Sequence, residues 1–549
     1  MSVSEATGPD VSRGLRPEVT PVPYHHLAKD IDGEGFWSRV DRLARRISDR
    51  LNPILIKEAR QSLGSPQFLI TFFMLLFATI GWTVLGIVFL SPRIYYLPAG
   101  ATMILGYYLL MAIPIGVFVP IVAFRSLGSE LDGDTFELLS VTDLTSRQIA
   151  WGKFASSMLQ TGLYFAAVTP SIAFCYLLQG LTLGDIAMTI GIVAVSGATL
   201  TAIALMLAPL MPGFLGQAIS LLVLIGFVTI TQFTLFSVVA YGVLDSDAST
   251  TMVGWVVFSM VSLVALSFVV LSLMIAAAKI APVTENRSTP IRLWVLVQTA
   301  TWIVGMTVIV LTFNSGEDEG FSIFIWILAA YWLLVGTVLL SETRELSPRV
   351  RRQLPSTFAT RMLLSPLMPG PSSGYLFAIC TGGVSVLLWG WWASTISDES
   401  FGYVDPVLVA AMMVGYLLLY LGTVRLLTLP LARRRPLPLP AALMTLVVVL
   451  IGFAVLPSVI TVVLTSSLPQ NYSTLEVVDW MWTTTELFST SSFSPMYVFS
   501  LWCLAFVVTV LNLPFLVDVF AYRRVAVPER VRRWQAAQNE SEASAADAS

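Results

Sequence analysis

The most chemically varied stretch of the chain is residues 129–153, which lies between two long apolar runs. Four of its carboxylates fall within eight residues: Glu130, Asp132, Asp134 and Glu137. Hydroxyl side chains follow, and then two separated basic residues, Arg147 and Lys153. Such groups can cap helices, form ion pairs and bind a partner protein. A connecting loop needs none of them in this density, so the stretch is the first candidate for function.

The sequence has neither a P-loop motif for nucleotide binding nor the HExxH motif of zinc proteases. No GxxxxGK[ST] occurs, because Gly152 and Lys153 lack both the upstream glycine and a following Ser or Thr. HExxH is absent as well. The three cysteines are too scattered for a metal site or a disulfide framework, and we interpret His25 and His26 as a solvated pair. We therefore expect no catalytic residue, metal or cofactor on this chain.

The composition places the chain in a membrane. Of its 549 residues 56% are hydrophobic and 12% are charged, with a mean hydropathy of +0.79, whereas soluble domains carry about 25% charged residues. About 20 apolar residues cross a bilayer as a helix. Twelve segments qualify: 67–90, 101–124, 154–178, 186–208, 215–240, 251–278, 293–313, 321–340, 375–395, 406–424, 440–465 and 496–517.

The distribution of basic residues predicts the orientation. Cytoplasmic loops collect Lys and Arg. With both termini inside, only Arg93 of the 31 Lys and Arg residues lies outside, while the outer turns carry acids. The sequence thus predicts an all-α polytopic membrane protein with about twelve transmembrane helices and cytoplasmic N and C termini.

These predicted spans contain no Asp, Glu, Lys, Arg or His. Ion-coupled carriers bury such groups although each costs roughly 2.5 to 3.5 kcal/mol in the bilayer centre. Their absence weakens a secondary transporter without excluding it, since sodium can be held by backbone and hydroxyl oxygens.

Composition and turn signals divide the chain into six regions. We predict a disordered tail at 1–34, amphipathic interfacial and elbow helices at 35–66, a six-span domain at 67–280, a linker at 281–292, a second six-span domain at 293–524 and a tail at 525–549. Similar hydropathy but no shared motif relates the two six-span domains. Basic loops of the second domain, 347–355 and 431–440, are expected to contact anionic lipid headgroups.

Two helix starts bracket the elbow. Asn52 before Pro53 and Ser65 before Pro66 each combine an N-cap residue with a proline at the first helical position, and Gly64 suits the end of the helix between them. The basic helix predicted just before it fits a membrane surface or a packed protein surface.

The acidic stretch predicts a short helix of its own. Asp134 and Glu137 have the spacing of a capping box, so the helix should begin at Thr135 and end near residue 141. Phe136, Leu138 and Leu139 then expose apolar groups on a helix too short to be stable alone. A docking surface would stabilise it, although a topology-setting loop with a good cap is the simpler alternative. Thr145 and Gln148 predict a second capping box.

A known family shares this pattern. The matching residues are Glu130, Gly133, Thr135, Glu137, Leu138, Leu139, Thr142, Leu144, Ser146, Arg147, Ile149, Gly152 and Lys153. They resemble the E-x-x-GT-x-ELL…T-x-L-x-R-x-I-x-x-GK pattern of the type-2 permeases of ATP-binding cassette (ABC) transporters. Residues 52–60, with Asn52, Pro53, Lys57, Glu58 and Arg60, resemble the elbow of that family. Asp134 departs from the pattern because it separates Gly133 from Thr135.

The resemblance covers about residues 50–280. It implies a coupling helix near 130–142, which would lie in a groove of a separate ABC ATPase subunit. ATP and Mg²⁺ would be bound by that ATPase subunit, and the present chain would lie in the inner membrane of a bacterium. It also implies a short outer hairpin within 215–244. Short outer loops and the absence of an importer-type EAA loop favour export.

The second half lacks the coupling motif, so one chain would supply one ATPase contact where the family works with two. A homodimer, or pairing with another permease subunit, is therefore expected, and a nucleic-acid partner is not. Two alternatives to an ATP-driven exporter subunit stay open: an ATP-independent twelve-span carrier and a non-transporting membrane scaffold.

Overall fold

The structure is a computed structural model that describes thirteen stretches and the two single residues 357 and 360. The stretches are 53–92, 96–132, 144–211, 213–282, 284–313, 319–343, 347–352, 364–396, 405–434, 437–466, 472–489, 494–521 and 529–534. Within this part of the chain there are helices, turns and no strand. The all-α prediction is confirmed.

Seven helices form the first half. They are α1 (Pro53–Leu63), α2 (Pro66–Leu90), α3 (Gly100–Ile113, a π-helical turn Pro114–Phe118, and Val119–Asp132), α4 (Ser146–Leu177), α5 (Leu183–Leu207), α6 (Phe214–Ser237, continued by the π-helical Val238–Val243) and α7 (Met252–Ile280). Eight form the second half: α8 (Thr289–Phe313), α9 (Glu319–Leu340), α10 (Pro348–Arg352), α11 (Pro371–Ile396), α12 (Pro406–Arg434), α13 (Leu439–Thr465), α14 (Trp480–Ser489) and α15 (Pro495–Ala521).

Twelve of these helices are long and apolar enough to cross a membrane: α2 to α9, α11, α12, α13 and α15. They coincide with the twelve predicted segments. The chain is an all-α, multi-pass integral membrane protein.

Local capping explains where the first helices begin. Ser65 Oγ accepts a hydrogen bond from the Phe68 backbone N–H, with Pro66 at the first helical position of α2, as predicted. Thr145 and Gln148 form the predicted reciprocal capping box at the start of α4. This cap lets α4 begin eight residues before the predicted span, at Ser146, so that Lys153 lies inside the helix.

Two expectations are wrong. The run 215–244 forms no hairpin, because α6 continues without a break from Phe214 to Val243. The spans are also not free of ionisable residues, since α4 carries Lys153, α8 carries Arg292 and α12 carries Arg425. The predicted spans ended at these residues because a charge lowers the local hydropathy. The helices continue past them because neighbouring segments supply hydrogen-bond partners for the charged groups.

In the first half α5 lies at the centre, packed against α3, α4, α6 and α7. In the second half α12 has the same central place, packed against α9, α11, α13 and α15. The largest cluster of buried apolar side chains surrounds α9, α11 and α12 and includes Trp332, Trp389 and Tyr420.

The two halves meet where α7 packs against α8. Ser267 on α7 is the polar centre of this contact. Its Oγ accepts hydrogen bonds from Gln298 Nε2 at 3.0 Å and from Trp302 Nε1 at 3.1 Å, and its carbonyl oxygen accepts one from Trp294 Nε1 at 3.1 Å. Tyr331 OH then donates to Gln298 Oε1 at 2.9 Å. Gln298 on α8 thus forms interhelical hydrogen bonds to both α7 and α9.

Candidate functional site

Three elements that the sequence analysis treated separately meet at one end of the bundle. The elbow helix α1 packs against α4, and the last turns of α3 pack against α4 as well. Ile54 anchors α1 with a buried side chain. We call this end, where α1 lies, α3 ends and α4 begins, the elbow end.

Lys153 is the centre of the polar contacts at the elbow end. Its side chain is 3% exposed, and its Nζ lies 3.1 Å from Glu58 Oε1 on α1 and 3.0 Å from Glu130 Oε2 on α3. Nζ also donates to Ser126 Oγ on α3 at 2.7 Å. An ammonium group has three N–H donors. Three acceptors from two other helices therefore surround it.

A second set of contacts closes this arrangement into a ring. Ser126 Oγ donates to Glu58 Oε2 at 3.2 Å, so Ser126 bridges the cation and one of its carboxylates. Lys57 Nζ lies 3.8 Å from Glu130 Oε1 at the rim, where its side chain is 59% exposed. We call Lys57, Glu58, Ser126, Glu130 and Lys153 the Lys153 cluster. Its two lysines and two glutamates balance in charge.

The burial of these charges decides what the cluster can do. A buried cation is tolerated only with close carboxylate partners and hydrogen bonds, and removal of one partner leaves an uncompensated charge. Lys153 has both carboxylates within 3.1 Å, while Glu58 and Glu130 stay 12% and 18% exposed. The cluster is thus a fixed link between α1, α3 and α4, and a displacement of one of these helices must disturb the others.

The position of the cluster connects it to the predicted coupling helix. Glu130 lies just before the segment 133–143 and Lys153 lies ten residues after it, on α4. That segment itself lies outside the described residues. The ion pair between Glu130 and Lys153 therefore joins the two helices that lead into and out of the segment, and Glu58 adds the elbow to the same link.

Most described site residues from the sequence belong to this cluster. Lys57, Glu58, Glu130 and Lys153 come together, and Pro53 begins α1. Arg60 and Arg147 are exposed and form no ion pair with the described part of the cluster. The remaining predicted site residues lie outside the described part of the chain: Asn52, Gly133, Thr135, Phe136, Glu137, Leu138 and Leu139. The coupling helix stays a prediction.

Sequence reasoning missed Ser126 and an entire second link, in the other half. Arg292, in the first turn of α8, is fully buried, and its Nη2 lies 2.7 Å from Glu342 Oε2 just beyond α9. Its Nη1 donates to Ser373 Oγ on α11 at 3.2 Å. The Gly370 backbone N–H donates to Glu342 Oε2 at 2.7 Å. We call Arg292, Glu342, Gly370 and Ser373 the Arg292 cluster; its only signal in sequence is one Arg and one Glu directly bordering apolar runs.

The described residues offer no group of His, Cys, Asp and Glu side chains able to hold a metal ion. The cysteines form no disulfide: Cys175 is buried inside the bundle, and Cys380 and Cys503 are exposed on apolar helices. Comparison of the chain with family models, with curated proteins and with solved structures gave no match.

Proposed function

We propose that this protein is the membrane-spanning permease subunit of an ATP-driven exporter of the ABC type, located in a bacterial inner membrane. In this proposal a separate ATPase subunit binds ATP and Mg²⁺ and hydrolyses the nucleotide. The present chain contributes no catalytic residue and receives the motion of the ATPase through the acidic segment that follows α3.

The Lys153 cluster is the observation that carries this proposal. A subunit driven from outside the bilayer needs a stiff connection between its docking segment and its spans. The ion pairs of Lys153 with Glu58 and Glu130 join the elbow helix to the two spans that border segment 133–143. A push on that segment would reach α1, α3 and α4 together.

The placement of the other ionisable residues supports an ATPase-driven subunit over an ion-coupled carrier. Lys153 and Arg292 lie near the first turns of α4 and α8, and Arg425 lies in the last third of α12 with partners at the start of α11 and near the end of α15. The charges of the described spans thus lie toward helix ends. Coupling ions normally bind near the middle of the bilayer.

Affinity purification tests the proposal. The tagged full-length chain, isolated in mild detergent from its own membranes, should bring down a P-loop ATPase that mass spectrometry identifies. Phe136→Asp should reduce ATPase recovery at least tenfold, because it places a charge on the apolar face predicted to dock. Trp534→Asp is the matched control, since Trp534 is a 61% exposed aromatic residue on the terminal helix 529–534.

The outcome separates the alternatives. Loss of the ATPase with Phe136→Asp and retention with Trp534→Asp supports the permease. Substrate transport by the purified chain alone, in vesicles with an ion gradient and without an ATPase, supports the twelve-span carrier. Recovery of non-ATPase proteins without any transport supports the scaffold.

A further inference from the structure

The two halves have the same order of helix packing, although their sequences share no motif. Counting the six spans within each half, the fourth packs against the second, third, fifth and sixth in both halves. The third packs against the first, second and sixth in both, and the second packs against the fifth in both. One pairing differs: the first span packs extensively against the second in the first half but not in the second half. Independent bundles have no reason to agree in so many pairings.

Chain direction places both halves in the same orientation. Six crossings return the chain to the end at which it started, so α8 begins at the elbow end, where α7 finishes. The halves are then parallel repeats, related by an axis along the membrane normal, as in other transport proteins with an internal repeat. The Arg292 cluster and the Lys153 cluster consequently lie at the same end of the bundle.

The two clusters join equivalent elements. In the first half an acid in the last turn of the second span, Glu130, pairs with a base on the third span, Lys153. In the second half an acid just after the second span, Glu342, pairs with a base on the first span, Arg292, which also binds the start of the third span through Ser373. Each half thus links the approach to its first span, the end of its second and the start of its third around one buried cation.

The halves differ in how the first span is approached. The first half has the elbow helix α1, with Glu58, whereas the second half has the linker after α7, where Ser288 Oγ donates to Glu342 Oε1. The linker is held in place at its other end too, because Ser347 Oγ donates to the Thr284 carbonyl oxygen at 3.0 Å. The linker therefore precedes the first span of the second half, as the elbow precedes the first span of the first half, and each contributes a polar contact to the cluster of its half.

We propose that residues 289–521 are a structural repeat of residues 66–280, that Arg292 is the counterpart of Lys153, and that one chain binds two ATPase subunits, one at the elbow end of each half. Binding of ATPase rests on the proposed function; the repeat does not. In this arrangement the second half takes the place of the second permease subunit that the sequence had led us to expect.

Stoichiometry tests the proposal on the full chain. Two differently tagged copies of the chain are expressed together, and the complex is isolated through one tag. Native mass spectrometry should find one 60.0 kDa chain with two ATPase subunits, and the second tag should be absent. Two copies of the chain, or one copy with a single ATPase, would overturn the proposal.

Failure of the proposed function and failure of the proposed repeat give different results in this experiment. If no ATPase is recovered, the proposed function is overturned, and the two tags alone then decide the repeat. Recovery of one tag supports a self-contained pair of halves, whereas recovery of both tags contradicts it.

Variants test whether the two cations are counterparts. Lys153→Gln and Arg292→Gln should each lower the number of bound ATPase subunits from two to one, and the double variant should bind none. Lys153→Arg and Arg292→Lys keep the charge and should keep two. Arg533→Gln, at an 81% exposed residue of the terminal helix, is the control. If Arg292→Gln folds poorly, Glu342→Gln replaces it, and two ATPases retained by a folded Arg292→Gln or Glu342→Gln variant would refute the equivalence.

Discussion

Lys153 and Glu58 are 95 residues apart in the chain, and their charged atoms are 3.1 Å apart at the elbow end of the bundle. The contact fixes a helix that could not be stable alone, because α1 has eleven residues and isolated helices below about 12 residues are marginal in water. The elbow is therefore ordered by its packing against α4, through this ion pair together with the buried Ile54 side chain.

Removal of that cation should be strongly destabilising. Lys153→Ala leaves Glu58 and Glu130 facing each other across a buried site, and loss of one partner from a buried ion pair costs about 3 to 5 kcal/mol. Chemical unfolding of the full chain in detergent measures this loss. Lys57→Ala is the control, because Lys57 is 59% exposed and 3.8 Å from its partner, and a surface pair of this kind contributes about 0 to 1 kcal/mol. Equal losses of unfolding free energy in the two variants would contradict the assignment of Lys153 as the buried cation of the cluster.

The contact between the halves gives a second prediction. Ser267→Ala removes the acceptor of two buried donors, Gln298 Nε2 and Trp302 Nε1, and each buried group left without a partner costs about 1 to 3 kcal/mol. Thermal unfolding in detergent should therefore occur at a lower temperature. Ser259→Ala is the matched control on the same helix, since Ser259 is exposed and its hydroxyl bonds only a carbonyl of its own helix. A control variant as unstable as Ser267→Ala would contradict the assignment.

The helices were predictable from the sequence, but their ends were not. An unbroken apolar run leaves few alternatives to a spanning helix, so all twelve spans were found. Hydropathy stops at the first charge, as at Arg425, where the predicted span ended one residue earlier. The helix continues to Arg434 because the Arg425 guanidinium lies over the Tyr375 ring at 4.7 Å and donates to Ser372 Oγ at 2.9 Å. Both partners belong to α11, which no local rule connects to Arg425.

The candidate site was predictable in its parts and not in its assembly. Glu58, Glu130 and Lys153 were each singled out, as members of an elbow and of a coupling motif. Their convergence depends on how α1, α3 and α4 cross, which sequence spacing does not give. Arg292 and Glu342 escaped notice because they belong to no motif and border apolar runs where a charge is common.

Asp479, which lies directly before α14, should make the stability of the folded protein depend on pH. Burial raises the pKa of the Asp479 carboxyl group above its usual 3.8, against the opposing effect of backbone N–H donation from Met481 and Trp482. The folded state then binds more protons than the unfolded state between the two pKa values, so stability falls as the pH rises from the unfolded pKa through the folded one.

Asp479→Asn tests this dependence. Asparagine keeps an oxygen for the two N–H donors of α14 and carries no charge. The variant should be more stable than the wild type at neutral pH, and the difference should shrink as the pH is lowered toward about 4. Thermal unfolding of both proteins across this range measures the difference. A difference that stays constant with pH would mean that Asp479 does not titrate differently in the folded and unfolded states.

The orientation of the bundle gives the last prediction. Arg147 lies at the elbow end and Asp245 lies after α6, at the opposite end, and both are exposed. Because the positive-inside rule places the elbow end in the cytoplasm, a membrane-impermeant maleimide should label Arg147→Cys in inverted vesicles only and Asp245→Cys in intact cells only. The parent chain is the control, since its cysteines lie within membrane-spanning helices and should stay unlabelled from both sides. The reverse pattern would place the acidic segment outside the cell, where no ATP-hydrolysing subunit could reach it.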